Sequence, residues 1–121
     1  MVSIREITVA VILVATSSGA LAADGSVTGR VARILVDDTD FGGCMVLVSG
    51  ANIRASLPAC KDAWLTFDCL VGFPESSKSV AQNKLSAAQL AMVTGKDIYI
   101  EATDSRKANG YCFATRVDVI N

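Results

Sequence analysis

Residues 79–95, SVAQNKLSAAQLAMVTG, are the one segment of this chain that reads as a good helix. Ser79 and Gln82 are spaced as a capping box, and Gly95 is positioned to end the helix, so the expected span is about residues 80–94. Ala81, Leu85, Ala88 and Met92 recur on one face with Ala91 beside them, and small alanines there allow close packing against a sheet. Leu90 and Val93 fall off that stripe, which suits either a loop contact or a subunit interface.

Working outward, every other periodic segment reads as a strand. Upstream, residues 27–36 carry apolar side chains on both parities, Val31 and Leu35 on one and Ala32, Ile34 and Val36 on the other. Asp37-Asp38-Thr39-Asp40 and Gly42-Gly43 then form an acidic turn, residues 44–48 (CMVLV) a second strand, and residues 49–63 a loop with Gly50, Asn52 and Pro58. Residues 64–70 (WLTFDCL) alternate Leu65, Phe67 and Cys69 against Thr66 and Asp68, the period-two pattern of a half-buried strand. Downstream, residues 96–102 give a strand with Ile98 and Ile100 inward, and residues 111–120 give the last. Asn109-Gly110 between them tolerates the positive φ of a type I′ hairpin turn. Three strands, one helix and two strands is the order of an OB-fold. The expected class is therefore mostly β, a barrel of five antiparallel strands with the helix between strands 3 and 4. Other five-stranded α+β arrangements fit the same string.

The amino-terminal end has the layout of an export signal. Arg5 precedes an apolar run over residues 7–15 (ITVAVILVA), residues 16–19 break it, and Ala20-Leu21-Ala22 offers small residues where a signal peptidase reads. The run is shorter than the roughly 20 residues a bilayer span needs. Cleavage after Ala22 leaves residues 23–121 as a single OB-like domain, secreted or periplasmic, with no stable membrane insertion.

Export makes disulfides the default for Cys44, Cys60, Cys69 and Cys112. In an OB barrel strand 2 pairs with strand 3, and setting Cys44 opposite Cys69 also sets Val46 against Phe67 and Val48 against Leu65, all inward. That register favours Cys44–Cys69 with Cys60–Cys112. The rival set, Cys44–Cys60 with Cys69–Cys112, is also feasible because strands 3 and 5 are neighbours in such a barrel.

Composition argues against several chemistries. The 121 residues hold 11 Lys and Arg against 12 Asp and Glu, so no basic footprint for nucleic acid is expected. There is no histidine, which removes Ser-His-Asp and Cys-His arrangements and makes a zinc site unexpected. Asp37, Asp38, Asp40, Asp68 and Glu101 form the pool for a carboxylate pair, but no spacing singles out two of them. Asp38-Thr39-Asp40 followed by Gly43 starts like a calcium loop, yet Gly42 and Ser49 stand at the fifth and twelfth positions, so a plain acidic turn is expected. Gly42-Gly43 precedes a strand, so no phosphate-binding loop is expected either. Trp64 is expected in the core. No enzyme, cofactor or metal is therefore anticipated.

Several of these features together resemble a known group. A leader, a first strand containing Gly29-Arg30-Val31, the run PACKDAWLTFD over residues 58–68, a helix ending LSAAQLAMVTGK, and Cys112 ahead of a Val117-x-Val119-Ile120 ending are similar to small secreted bacterial proteins. Among these are the pentamer-forming B subunits of the subtilase-cytotoxin type. The resemblance implies a non-catalytic binding module that recognises glycans or a partner protein and forms a homo-oligomer. No sugar-contacting residue carries over, and Cys44 and Cys69 depart from the pattern. A structural or envelope-associated protein and a secreted enzyme inhibitor working through the 49–63 loop are the alternatives.

Overall fold

A computed structural model describes Ile12 and residues 23–121; the expected leader and its cleavage point, Ile12 apart, lie outside the described residues. Five strands and one helix follow in chain order: β1 (Asp24–Val36), β2 (Cys44–Ser49), β3 (Trp64–Thr66), α1 (Lys78–Thr94), β4 (Asp97–Ala108) and β5 (Tyr111–Ile120). The strands form one sheet that closes on itself in the order β1-β2-β3-β5-β4. All neighbours are antiparallel except β3 and β5, which meet in parallel at Thr66 and Phe113. The sheet is therefore mixed, and the expectation of five antiparallel strands is corrected at that seam.

Alternation puts Val46, Val48, Leu65, Phe67, Ile98 and Ile100 into one core with the two disulfides. Val27 and Val31 enter it from β1, and a bulge between Val31 and Arg33 then reverses the parity of that strand. Beyond the bulge Ile34 packs against the core and Arg33 and Leu35 face outward, which explains why both parities of residues 27–36 are apolar. Helix α1 covers the core with Ala81, Ala88 and Ala91. Met92, expected on the same stripe, is 39% exposed. The helix begins two residues earlier than expected, because Ser77 Oγ accepts the Val80 N–H and so is the N-cap. Gly95 ends it at φ 65°, its N–H and that of Lys96 converging on the Ala91 carbonyl.

Strand β3 is shorter than the alternation over residues 64–70 suggested. Thr66 Oγ1 accepts the Asp68 N–H, Asp68 adopts φ 58°, and both Asp68 carboxylate oxygens accept backbone N–H groups, from Gly72 at 2.8 Å and Phe73 at 2.9 Å. These side-chain acceptors wind the chain out of the sheet. The β2–β3 register also differs from expectation: Val46 lies opposite Leu65, not Phe67. A two-residue slip keeps every side chain on its face, so the inward residues are unaffected. Cys44 is bonded to Cys69 at a Cα separation of 5.6 Å because the Asp68 turn folds Cys69 back, and Cys60 is bonded to Cys112 at 5.4 Å. Two formed bridges call for an oxidising compartment of the kind found outside the cytoplasm. Among the described residues no helix is long and apolar enough to cross a membrane.

The 49–63 segment is less loop-like than its composition suggests. Asn52 caps a short 3-10 turn, and Ile53 and Leu57 are fully buried in the core. Asn109 and Gly110 take φ of 53° and 85° and join β4 to β5 as the hairpin required.

Candidate functional site

An open cleft of about 260 Å3 lies on the outer face of β1, β2 and β3, lined by Arg33, Leu35, Phe41, Met45, Trp64 and Tyr111. Each side chain arrives there by a local cause. The β1 bulge turns Arg33 and Leu35 outward, and Met45, on the outward parity of β2, is buried as part of the lining. Trp64 faces the same way as the first residue of β3, and Tyr111 is the first residue of β5 after the Asn109-Gly110 turn.

Two non-glycine residues sit in the left-handed region beside the cleft. Phe41 has φ 59°, and Ala63, which sets the direction of Trp64, has φ 75°. Such conformations cost an L-residue about 1–2 kcal/mol each and are held by their surroundings. The Phe41 N–H donates to Asn109 Oδ1 at 3.2 Å, and Thr66 Oγ1 donates to the Phe41 carbonyl at 2.9 Å. The Trp64 N–H donates to the Asp62 carbonyl at 3.0 Å, and the Lys61 N–H to the Gly110 carbonyl at 2.8 Å. The turns 37–43 and 109–110 are thereby tied to the start of β3.

Cations lie over the rings. The Arg33 guanidinium lies 5.6 Å from the centre of the Trp64 ring system, and the Lys61 ammonium 5.1 Å from the centre of Tyr111. Phe41 and Tyr111 meet edge to face at 6.1 Å. The result is a set of flat apolar surfaces with cationic hydrogen-bond donors lying over them, a lining suited to a ligand that is itself flat and apolar on one side and hydroxylated on the other.

The residues singled out from sequence divide clearly. Trp64 is half-buried on the outer face, a correction to its expected place in the core, because the parity that sends Leu65 inward sends Trp64 outward. Asp37, not Asp38, organises the acidic turn: its carboxylate accepts the N–H groups of Thr39 and Asp40, which holds its pKa below the usual carboxylate range. Asp38 and Asp40 are exposed. Asp68 is buried and spent on the Gly72 and Phe73 amides, and Glu101 accepts from the Tyr99 hydroxyl at 3.0 Å. Among the described residues no group of three or more Cys, Asp or Glu is placed to hold a metal ion. Of the cleft, sequence alone offered only the hairpin that positions Tyr111; it assigned Trp64 to the core, and nothing in it marked Phe41, Arg33 or Leu35. Comparison with family models, with curated proteins and with solved structures finds no match to this chain.

Proposed function

We propose that the chain is an exported, non-catalytic binding module of the OB type, and that its ligand is a glycan held in the aromatic cleft. One observation carries this: the cleft occupies the β2–β3 face between the β1–β2 and β4–β5 turns, where OB barrels take oligosaccharides and oligonucleotides. The near balance of 11 basic against 12 acidic residues favours the sugar over a phosphate backbone. Sugar rings present C–H faces that stack on Trp64 and Tyr111 and hydroxyls within reach of Arg33 and Lys61. The resemblance to subtilase-type B subunits points the same way, toward a secreted or periplasmic glycan reader that acts beside a partner protein. A specific feature favours self-association in addition: Leu90 and Val93 on α1 are 57% and 85% exposed, an apolar pair suited to a neighbouring subunit.

Trp64 is the only tryptophan in the sequence, so its emission reports on the cleft directly. A glycan screen followed by fluorescence titration is expected to give a saturable emission shift for the bound sugar. Trp64→Ala should weaken that sugar about tenfold, equivalent to ~1.4 kcal/mol. A sugar that binds without moving the emission, and equally well to Trp64→Ala, would remove the cleft as the site. Light scattering on the same sample tests the subunit contact through Leu90→Asp, which should dissociate an oligomer and leave sugar affinity per chain unchanged.

A further inference from the structure

A second cavity, of about 270 Å3, opens between the first turn of α1, the 67–77 segment and strands β4 and β5. Its lining includes Glu75, Ser76, Lys84, Arg106 and Phe113. We propose that it is a binding site for a compact tetrahedral oxyanion, phosphate or sulfate, free or carried as an ester, and that Glu75 is the internal competitor for it.

The two cations converge on one ring. The Lys84 ammonium lies 4.5 Å and the Arg106 guanidinium 5.3 Å from the centre of Phe113. Burial, and behind it the charge of Arg106, pushes the Lys84 pKa below the usual lysine range, with Asp68 acting in the opposite sense. Lys84 donates one hydrogen bond, to the Ala114 carbonyl at 2.8 Å, and retains further donor capacity. Around it two polar atoms are buried without a partner, Arg106 Nε and Ser76 Oγ. Buried donors are almost always satisfied, and both of these belong to residues that line the cavity.

The nearby carboxylates leave that place open. Both oxygens of Asp68 are taken by the Gly72 and Phe73 amides. Glu75 is 61% exposed and reaches only one guanidinium nitrogen, with Oε2 at 2.8 Å from Arg106 Nη1. A planar carboxylate so placed leaves Nε unmatched. A tetrahedral anion has enough oxygens to meet the guanidinium of Arg106 and the Lys84 ammonium together. The first turn of α1 carries no acidic residue, so the positive end of the helix dipole adds to the same field. The volume lies just below the range of pockets for drug-sized ligands, in keeping with one small group.

The test is a titration of the full chain, exported into an oxidising compartment and purified with both disulfides formed, at constant ionic strength. Inorganic phosphate is added and the Arg106 Nε–H and the 76–79 amides are followed by NMR. Saturable shifts at both places are expected; shifts that stay linear in phosphate would overturn the site. Glu75→Gln, an exposed change that leaves the core intact, should tighten binding several-fold, and unchanged or weaker binding would remove Glu75 as the competitor. Arg106→Gln should weaken binding by tenfold or more, and an unaltered affinity would overturn the site independently. A small phosphate monoester run in parallel identifies the source: tighter binding than phosphate means a ligand-borne group, and weaker binding means the free ion.

Discussion

The aromatic cleft and the basic cavity are built from the same barrel by opposite means. In the cleft, the strained backbone at Phe41 is hydrogen-bonded at both its N–H and its carbonyl, and Trp64 and Tyr111, half-buried, each have a single cation over the ring. In the cavity the ring of Phe113 is covered by two cations, and the polar atoms Arg106 Nε and Ser76 Oγ are buried without a partner. The first arrangement selects a surface to stack upon; the second selects a charge to neutralise. The disulfides tie the two regions together. Cys112 stands between Tyr111 of the cleft and Phe113 of the cavity, and the other bridge joins Cys44, next to Met45 of the cleft, to Cys69, next to Asp68, whose carboxylate holds the 72–73 backbone that leads to the cavity.

Removing the bridges one at a time separates the two regions most forcefully. By chain entropy the Cys60–Cys112 link, spanning 52 residues, contributes about 4 kcal/mol, and Cys44–Cys69, spanning 25, about 3.5 kcal/mol. Denaturant unfolding of the two double-alanine variants should show losses of that size. Location matters as much as size: loss of Cys60–Cys112, with Cys112 between Tyr111 and Phe113, should alter both Trp64 emission and phosphate binding, and loss of Cys44–Cys69 should act mainly on phosphate binding, through the Asp68 turn. Asn109→Ala is the next largest, at about 1–2 kcal/mol, because it forces alanine into φ 53° and deprives the buttressed Phe41 N–H of its acceptor. Thermal melts and Trp64 emission should both register it.

Smaller effects depend on pH, and they fall in different pH windows in the two regions. Asp37, in the turn that leads to Phe41, has a lowered folded-state pKa, so its stabilising bonds are present above the ordinary Asp value and are lost as pH falls through the folded one. The wild-type advantage over Asp37→Ala in urea should therefore shrink on acidification. Lys84 in the cavity also has a lowered folded-state pKa, and the slope has the same sign: the folded chain binds fewer protons, so stability rises with pH between the folded and the ordinary lysine values, but here the charged form is the one that burial penalises. Lys84→Met should flatten that alkaline rise.

Much of the barrel was legible because alternation survives small errors of register. The β2–β3 slip by two residues left Val46, Leu65 and Phe67 inward, and the helix stripe still brought Ala81, Ala88 and Ala91 to the core after the cap moved from Ser79 to Ser77. What alternation does not carry is any break in it. The bulge at Ala32 exchanged the faces of β1, and the Asp68 turn ended β3 at Thr66, both through local hydrogen bonding rather than hydropathy. The cleft depends on those breaks: Arg33 and Leu35 reach it after a bulge, and Phe41 through a positive φ that no phenylalanine advertises. The cavity was illegible for another reason, since Glu75, Lys84 and Arg106 come from three separate segments and are ordinary charged residues along the chain.

The single parallel pair of Thr66 and Phe113 has a consequence for how the molecule is assembled. The β4–β5 hairpin is local in sequence and needs only the Asn109-Gly110 turn, whereas the β3–β5 seam joins distant segments through one bridge. Distant pairings form late because loop closure must precede their contacts. The Cys60–Cys112 bond crosses this same seam, one cysteine just ahead of β3 and the other near the start of β5. Closing the β3–β5 seam in this protein is therefore a thiol-oxidation step as much as a hydrogen-bonding one.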